Sequence, residues 1–243
     1  MSAPQLCLDG NTSCAMMAYK LIDFAAVYPI TPSSTMAEMI EAYSGQKKEN
    51  AFGNIVKVHQ TQSELGASAC IHGAANTGAL TATFTSSQGL LLMIPNLYFL
   101  ASTHVPAVVH LACRSVGMAS TSLSPDNSDI YAISNTNMCA ICSRNVQETH
   151  DMALATHLSA INASQAFVHF FEGFRVSHQF ESFQEIPMDV VKSLINYDKV
   201  KEFRESAVDP NHPDGRGLGL GTEMYYPALE ANKYHFAKVS KVV

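Results

Sequence analysis

Tryptophan is absent from this chain, and only 15% of its 243 residues are charged, with 15 Lys and Arg against 21 Asp and Glu. A net charge of -6 without any basic block argues against a nucleic-acid footprint. Long apolar runs are lacking too: the longest, residues 89–101, is interrupted by Pro95, Asn96 and Tyr98 and is shorter than a bilayer span needs. The first residues show no basic segment leading into an apolar core, so no secretory signal is visible, and a soluble, cytoplasmic protein without membrane contact is expected. No G-x-x-x-x-G-K-[ST], G-x-S-x-G or H-E-x-x-H occurs. The glycines of GRGLGLG, residues 215–221, alternate instead of following G-x-G-x-x-G. These gaps argue against P-loop, serine-hydrolase, zincin and dinucleotide chemistry.

Six cysteines, Cys7, Cys14, Cys70, Cys113, Cys139 and Cys142, are scattered in a chain large enough to fold without staples, which fits a reducing compartment. Only Cys139 and Cys142 have C-x2-C spacing, and the others complete no zinc or iron–sulfur set. The histidines, among them His104, His110, His169 and His178, are spread through strands and loops and are expected to satisfy local polar groups.

What is present is a globular composition, 47% hydrophobic, able to bury a substantial core in one domain or two small ones. Helical and extended periods alternate along it. Residues 11–25 read as a helix capped by Thr12 or Ser13, and 26–30 as a short strand closed by Pro29. Residues 31–43 read as a second helix, with Thr31 as cap and Pro32 in the first turn, or with a capping box from Thr35 to Glu38 one turn later. After a polar connection comes a strand near 55–59, then a helix over 63–75 capped by Ser63 with Glu64 in its first turn. A strand at 79–84, a helix at 86–100 bent or ended near Pro95, and a strand at 107–112 follow. Residues 129–133 read as a strand, 148–163 as a helix and 166–171 as an aromatic-rich strand. Strands separated by helices of this length predict an α/β fold, a mostly parallel sheet covered on both faces. Ligands gather at the carboxyl ends of such strands. That rule nominates Thr31, residues 59–64, 85–88 and 113–115.

Each nominee has two readings. Thr31, in the rigid turn YPITPSS (28–34), is either a helix cap or a ligand contact. Glu64 is either a solvated first-turn acid or, since residues 65–69 are small and apolar, an enclosed carboxylate that needs a partner such as a protonatable ring nitrogen. Arg114 follows a buried strand in a chain with five arginines. It serves either as a clamp for a substrate carboxylate or in an internal salt bridge.

Four blocks, YPITPSS (28–34), QSELGA (62–67), TATFTSSQGLLLMIPNLY (81–98) and AFVHFFEGFRVSHQ (166–179), resemble the amino-terminal pyrimidine-binding domain of the pyruvate:ferredoxin (flavodoxin) oxidoreductase family. DGNTSCA (9–15), CRS (113–115) and SRNVQETHDMALATHLSAI (143–161) extend the likeness over essentially the whole chain. The resemblance implies one amino-terminal domain, 1–243, of a larger thiamine-diphosphate enzyme, with 203–243 a less regular carboxyl-terminal extension. It implies that Glu64 hydrogen-bonds the aminopyrimidine ring of the cofactor, favouring its imino tautomer, and that Thr31 and Arg114 hold the carboxylate of pyruvate.

The implied reaction converts pyruvate to acetyl-CoA and carbon dioxide, with electrons passed to ferredoxin or flavodoxin in anaerobic metabolism. Thiamine diphosphate with Mg2+, [4Fe-4S] clusters and the coenzyme A region belong to the remaining domains or subunits of the full enzyme, a homodimer when complete. No metal or cluster ligands are expected in this chain, which would be a fragment or separately encoded segment, inactive alone. STSLSPDNSDI (120–130), ISNTNMCA (133–140) and GRGLGLGTEMYYPA (215–228) depart from the family pattern. They leave open a noncatalytic scaffold or degenerate homologue, or an oxidoreductase for another 2-oxoacid.

Overall fold

A computed structural model describes residues 4–117, 120, 122–211, 213 and 219–243. Thr121 and residues 215–218, which belong to the divergent segments, lie outside the described residues. The chain starts with a short strand β1 (Gln5–Leu8) and helix α1 (Gly10–Leu21), then enters a parallel alternation. This comprises β2 (Phe24–Val27), α2 (Ser34–Gly45), β3 (Lys57–Gln60), α3 (Glu64–Asn76), β4 (Thr81–Thr85), α4 (Ser87–Ser102) and β5 (Ala107–Cys113). A short helix α5 (Ser128–Ala132) and a 3-10 turn (Ser134–Thr136) lead to β6 (Cys139–Ser143), α6 (Val146–Ala163) and β7 (Phe167–Glu172). Strand β8 (Glu181–Gln184) and helices α7 (Met188–Leu194), α8 (Tyr197–Glu205) and α9 (Thr222–Val239) complete the order.

Six strands form one sheet in the order β3-β2-β4-β5-β7-β6, every neighbour parallel. Strand β8 pairs antiparallel with β1 in a separate ribbon. The central strands TATFT and AVVHLAC are buried at every residue, as sheets covered on both faces require, whereas the edge strand KVHQ is largely exposed. Helix α1 packs against α2 and α6, and α3 packs against α4, giving a helical layer on each side of the sheet. β2 connects to β3 on one side, and β3 returns to β4 on the other. The chain therefore reverses direction between β2 and β4, the kind of switch point outside whose strand carboxyl ends ligands gather.

Local chemistry sets several boundaries differently from the sequence expectation. Helix α1 begins at Gly10 because Asp9, not Thr12 or Ser13, caps it: Asp9 Oδ1 accepts from Thr12 N at 2.9 Å. It ends at Leu21, and Phe24 and Ala25 already pair with both β3 and β4. Helix α2 starts at Ser34, so neither Thr31 nor Pro32 belongs to it. The Thr31 carbonyl accepts from Arg114 and the Pro32 carbonyl from Asn11, which holds this turn outside the helix. Ser33 occupies the cap position, but its hydroxyl donates back to Ile30 O, and the Thr35 to Glu38 capping box does not form. Pro95 lies inside α4 without ending it. Residues expected as a strand at 129–133 form α5 because the Asp129 carboxylate turns inward and accepts from three backbone amides, including that of Ile130.

Helix α6 fits its expected place and starts at an Asn145 cap, whose side chain accepts from Glu148 N at 2.8 Å. His150 and His157 sit two turns apart on its buried face. Nδ1 of His150 donates to Ser13 O at 3.0 Å while Nε2 accepts from Ile186 N at 3.2 Å, a pairing that requires the neutral ring. Burial holds the pKa of His150 below its ordinary value, although the bond to the Ser13 carbonyl opposes this. An unfolded histidine takes its proton near pH ~6.5, so the stability contributed by neutral His150 is present above that pH and is lost as pH falls below it. Between pH 7 and pH 5, urea unfolding should show His150→Leu, less stable at neutral pH, losing less further stability than the parent. The difference in slope should reach up to about 1.4 kcal/mol per pH unit; parallel slopes would show that His150 is not held neutral.

Candidate functional site

The residues nominated from the strand ends meet at the carboxyl edge of the sheet. Ser63 caps α3, its Oγ accepting from Gly66 N at 3.2 Å, and this places Glu64 in the first helical turn. Only 8% of Glu64 is exposed, yet among the described residues its carboxylate has no hydrogen-bond or ion-pair partner. The residue is thus largely enclosed by its neighbours, while its carboxylate oxygens still reach solvent. Along β4 the side chains of Thr81, Thr83 and Thr85 share one face, and among the described residues their buried hydroxyls lack partners, as does that of Ser86. Gly89 in the first turn of α4 makes room for the acid: a Cβ there would stand 2.6 Å from Thr85 Oγ1 and 2.8 Å from Glu64 Oε1.

Arg114 leaves the end of β5 and is 6% exposed. Its NH1 donates to Thr31 O at 2.6 Å and its NH2 to Gln88 Oε1 at 2.8 Å, while Nε has no partner among the described residues. Among the described residues the guanidinium makes no ion pair, so the internal salt-bridge reading fails. Burial lowers the Arg114 pKa from its ordinary value, and the negative charge of Asp129 opposes the shift. Thr31 contributes through its carbonyl, and its side chain is exposed. The structure thus joins Arg114 to Thr31 directly and brings Glu64 against Gly89, the neighbour of Gln88.

Sequence reasoning missed the residue that holds these pieces together. Asp129 is fully buried, and its Oδ2 accepts from Ser87 N at 2.9 Å and Arg114 N at 3.0 Å, its Oδ1 from Ile130 N at 2.8 Å. Burial raises its pKa, and the three amide bonds pull the other way. Ser87, one of its partners, sits at φ +47°, an uncommon conformation for a residue with a side chain, and its hydroxyl donates to Ser115 O at 2.8 Å. Gly173, just past β7, also has no room for a side chain: a Cβ would lie 2.2 Å from Cys113 O and 2.7 Å from Pro32 Cγ. One signal for Asp129 was available, an acid in a stretch with turn residues on both sides, but the strand reading hid it.

A second cluster lies between the sheet and the layer of α1 and α6. His110 and His169 are register partners on β5 and β7 and face Cys14 of α1 and His157 of α6. Hence these two histidines pair with each other rather than with separate local groups, while His104 contacts Gln165 and Asn232, and His178 contacts Ser177.

An open parallel sheet carrying at its carboxyl edge a largely enclosed acid, without a partner among the described residues, and an anchored arginine defines an α/β ligand-binding half-site. The family described as pyruvate flavodoxin/ferredoxin oxidoreductase, thiamine diphosphate-binding, matches residues 15–243, and the chain belongs to it as an amino-terminal pyrimidine-binding domain. Among curated relatives, a pyruvate:ferredoxin oxidoreductase of Moorella thermoacetica is 41% identical over 96% of this chain and 20% of its own length. A pyruvate-flavodoxin oxidoreductase of Nostoc sp. is 43% identical over 98% of this chain, again 20% of its own length. The chain therefore spans about a fifth of these relatives. A solved 2-oxoglutarate:ferredoxin oxidoreductase from Magnetococcus marinus, with 2-oxoglutarate, coenzyme A and succinyl-CoA bound, superimposes with a TM-score of 0.66 at 17% identity. That match covers 76% of this chain and 32% of the solved one, and it bears on the fold. Among the described residues no helix is long and apolar enough to cross a membrane.

Replacing Asp129 by Asn keeps its shape but turns an amide nitrogen toward backbone donors. Urea unfolding should show a loss of about 1–3 kcal/mol, whereas unchanged stability would mean that the carboxylate does not organise this edge.

Proposed function

We propose that this chain supplies the aminopyrimidine-activating and carboxylate-binding half of the active site of an oxidoreductase. The enzyme converts pyruvate to acetyl-CoA and carbon dioxide and passes electrons to ferredoxin or flavodoxin. One observation carries the reading: Glu64 is only 8% exposed and, among the described residues, its carboxylate has no partner, with room left for it by the missing side chain of Gly89. A carboxylate left without a protein partner in a largely enclosed setting is free to bond a ligand, and a ring nitrogen of an aminopyrimidine is a partner of the right chemistry. Thiamine diphosphate, when bound, supplies a nucleophilic thiazolium carbon for addition to a 2-oxoacid. Glu64 would hold a proton at the pyrimidine ring nitrogen, and the buried hydroxyls of Thr85 and Ser86, unpaired among the described residues, offer further polar contacts beside it.

Arg114 is the carboxylate anchor in this reading. Its two terminal nitrogens are fixed by Thr31 O and Gln88, and its charge stands at the edge where the exposed Thr31 side chain lies. A fixed guanidinium orients a carboxylate without proton exchange. Mg2+ and the diphosphate, the [4Fe-4S] clusters and the coenzyme A site fall to the remaining domains of a cytoplasmic, homodimeric enzyme.

In the complete enzyme, Glu64→Gln should cut pyruvate-dependent viologen reduction by roughly 10²–10⁴-fold, the range typical of a lost general acid–base group. Retention of full activity would overturn the assignment. Gly89→Ala should lower the same rate by displacing Glu64. Arg114→Lys should raise KM for pyruvate by more than it lowers kcat, because the fork of donors is lost; an unchanged KM would remove Arg114 from substrate binding.

A further inference from the structure

We propose that Cys14, His110 and His169 form a binding site for a single soft or borderline transition-metal ion, Zn2+ or Cu+, inside the domain and away from the carboxyl edge. All three side chains are fully buried. Cys14 Sγ lies 3.1 Å from His110 Nδ1 and 3.7 Å from His169 Nδ1, and the two Nδ1 atoms are 3.0 Å apart. Around one ion at metal–nitrogen distances of about 2.0–2.1 Å and a metal–sulfur distance of about 2.3 Å, tetrahedral ligands stand about 3.3–3.6 Å from each other. The three donors need move only a few tenths of an ångström to reach it. One thiolate and two imidazoles are a donor set that selects such ions over Mg2+ or Ca2+.

The architecture produces this convergence by register. His110 and His169 are direct partners on adjacent parallel strands and so point to the same face, and α1 lays Cys14 over them. The outer nitrogens are also provided for. A ring that ligates through Nδ1 carries its proton on Nε2, and each Nε2 here meets a group able to accept it. His169 Nε2 is 2.7 Å from Ser143 Oγ, whose own hydrogen goes to Glu148 O at 3.2 Å. His110 Nε2 is 3.1 Å from His157 Nε2. Both proposed imidazole ligands thus have the outer partners that fix tautomer and ring orientation at metal centres. Binding exchanges the Cys14 S–H bond for an S–metal bond and releases one proton; nothing is oxidised or reduced. No described residue supplies a fourth ligand.

A metal-free chain of neutral imidazoles, sharing one proton between the two Nδ1 atoms, satisfies the same nitrogens, and experiment separates the two. The full chain, prepared without a histidine tag, is stripped with chelator and titrated separately with Zn2+, with Cu+ under reductant, and with Co2+ as a spectroscopic probe. The proposal expects one tightly held equivalent by elemental analysis, a thiolate-to-Co2+ charge-transfer band, and a higher melting temperature with metal. Cys14→Ala should lose the band and the thermal shift, Cys70→Ala should keep both, and His157→Gln should weaken binding about 10- to 100-fold. Should Cys14→Ala fail to fold, the band in the parent and in Cys70→Ala still decides the matter. A parent protein with no bound equivalent and no thiolate band, or a Cys14→Ala protein that binds like the parent, would overturn the site in favour of the hydrogen-bonded chain.

Discussion

The carboxyl edge of the sheet depends on a single buried anion. Asp129 binds the amides of Ser87, Arg114 and Ile130, and so fastens the start of α4, the end of β5 and the following short helix to each other. Charge-assisted bonds from backbone donors are strong in an interior of low dielectric, which offsets the desolvation of the carboxylate. Ser87 stays in its left-handed conformation, and Arg114 leaves its strand in a fixed direction, because this anion holds both backbones. Positions that seem independent along the chain are thereby set to one another.

Around that anchor, the absence of side chains matters as much as their presence. Gly89 gives Glu64 its place, and Gly173 lets the end of β7 approach Cys113 O and Pro32. The two faces of β4 divide the polar work: Thr81, Thr83 and Thr85 lie on one, whereas Phe84 on the other stacks against His110 with ring centroids 5.4 Å apart. The domain accordingly buries two polar assemblies on opposite sides of one sheet. One faces the open edge. The other is enclosed between α1, α6 and the strands.

Much of the fold was legible because periodicity is local. The helix at Ser63 with Glu64 in its first turn, the buried strands around residues 81–85 and 107–113, and the α6 helix could all be recognised from spacing and capping residues. The convergence of Thr31, Glu64, Gln88 and Arg114 followed from the strand-end rule once the sheet was parallel. Illegible parts were those in which a distant partner overrides local preference. Thr31 looked like a cap until Arg114 took its carbonyl, and residues 129–133 looked like a strand until Asp129 turned inward to three amides. Ribbon strands β1 and β8 escaped notice because each is short and its partner lies far along the chain.

By itself the sequence determined the alternating α/β pattern, the parallel sheet, the family likeness and the chemical kinds of residue at the strand ends. These follow from side-chain period, turn residues and motif composition, which act over a few positions. Only the tertiary structure decided that Glu64 is largely enclosed with no partner among the described residues, that Arg114 is bound to a carbonyl and an amide instead of a carboxylate, and that Cys14, His110 and His169 share one point. Those facts depend on strand register, helix docking and the space left by glycines, which are set by packing between segments distant in sequence.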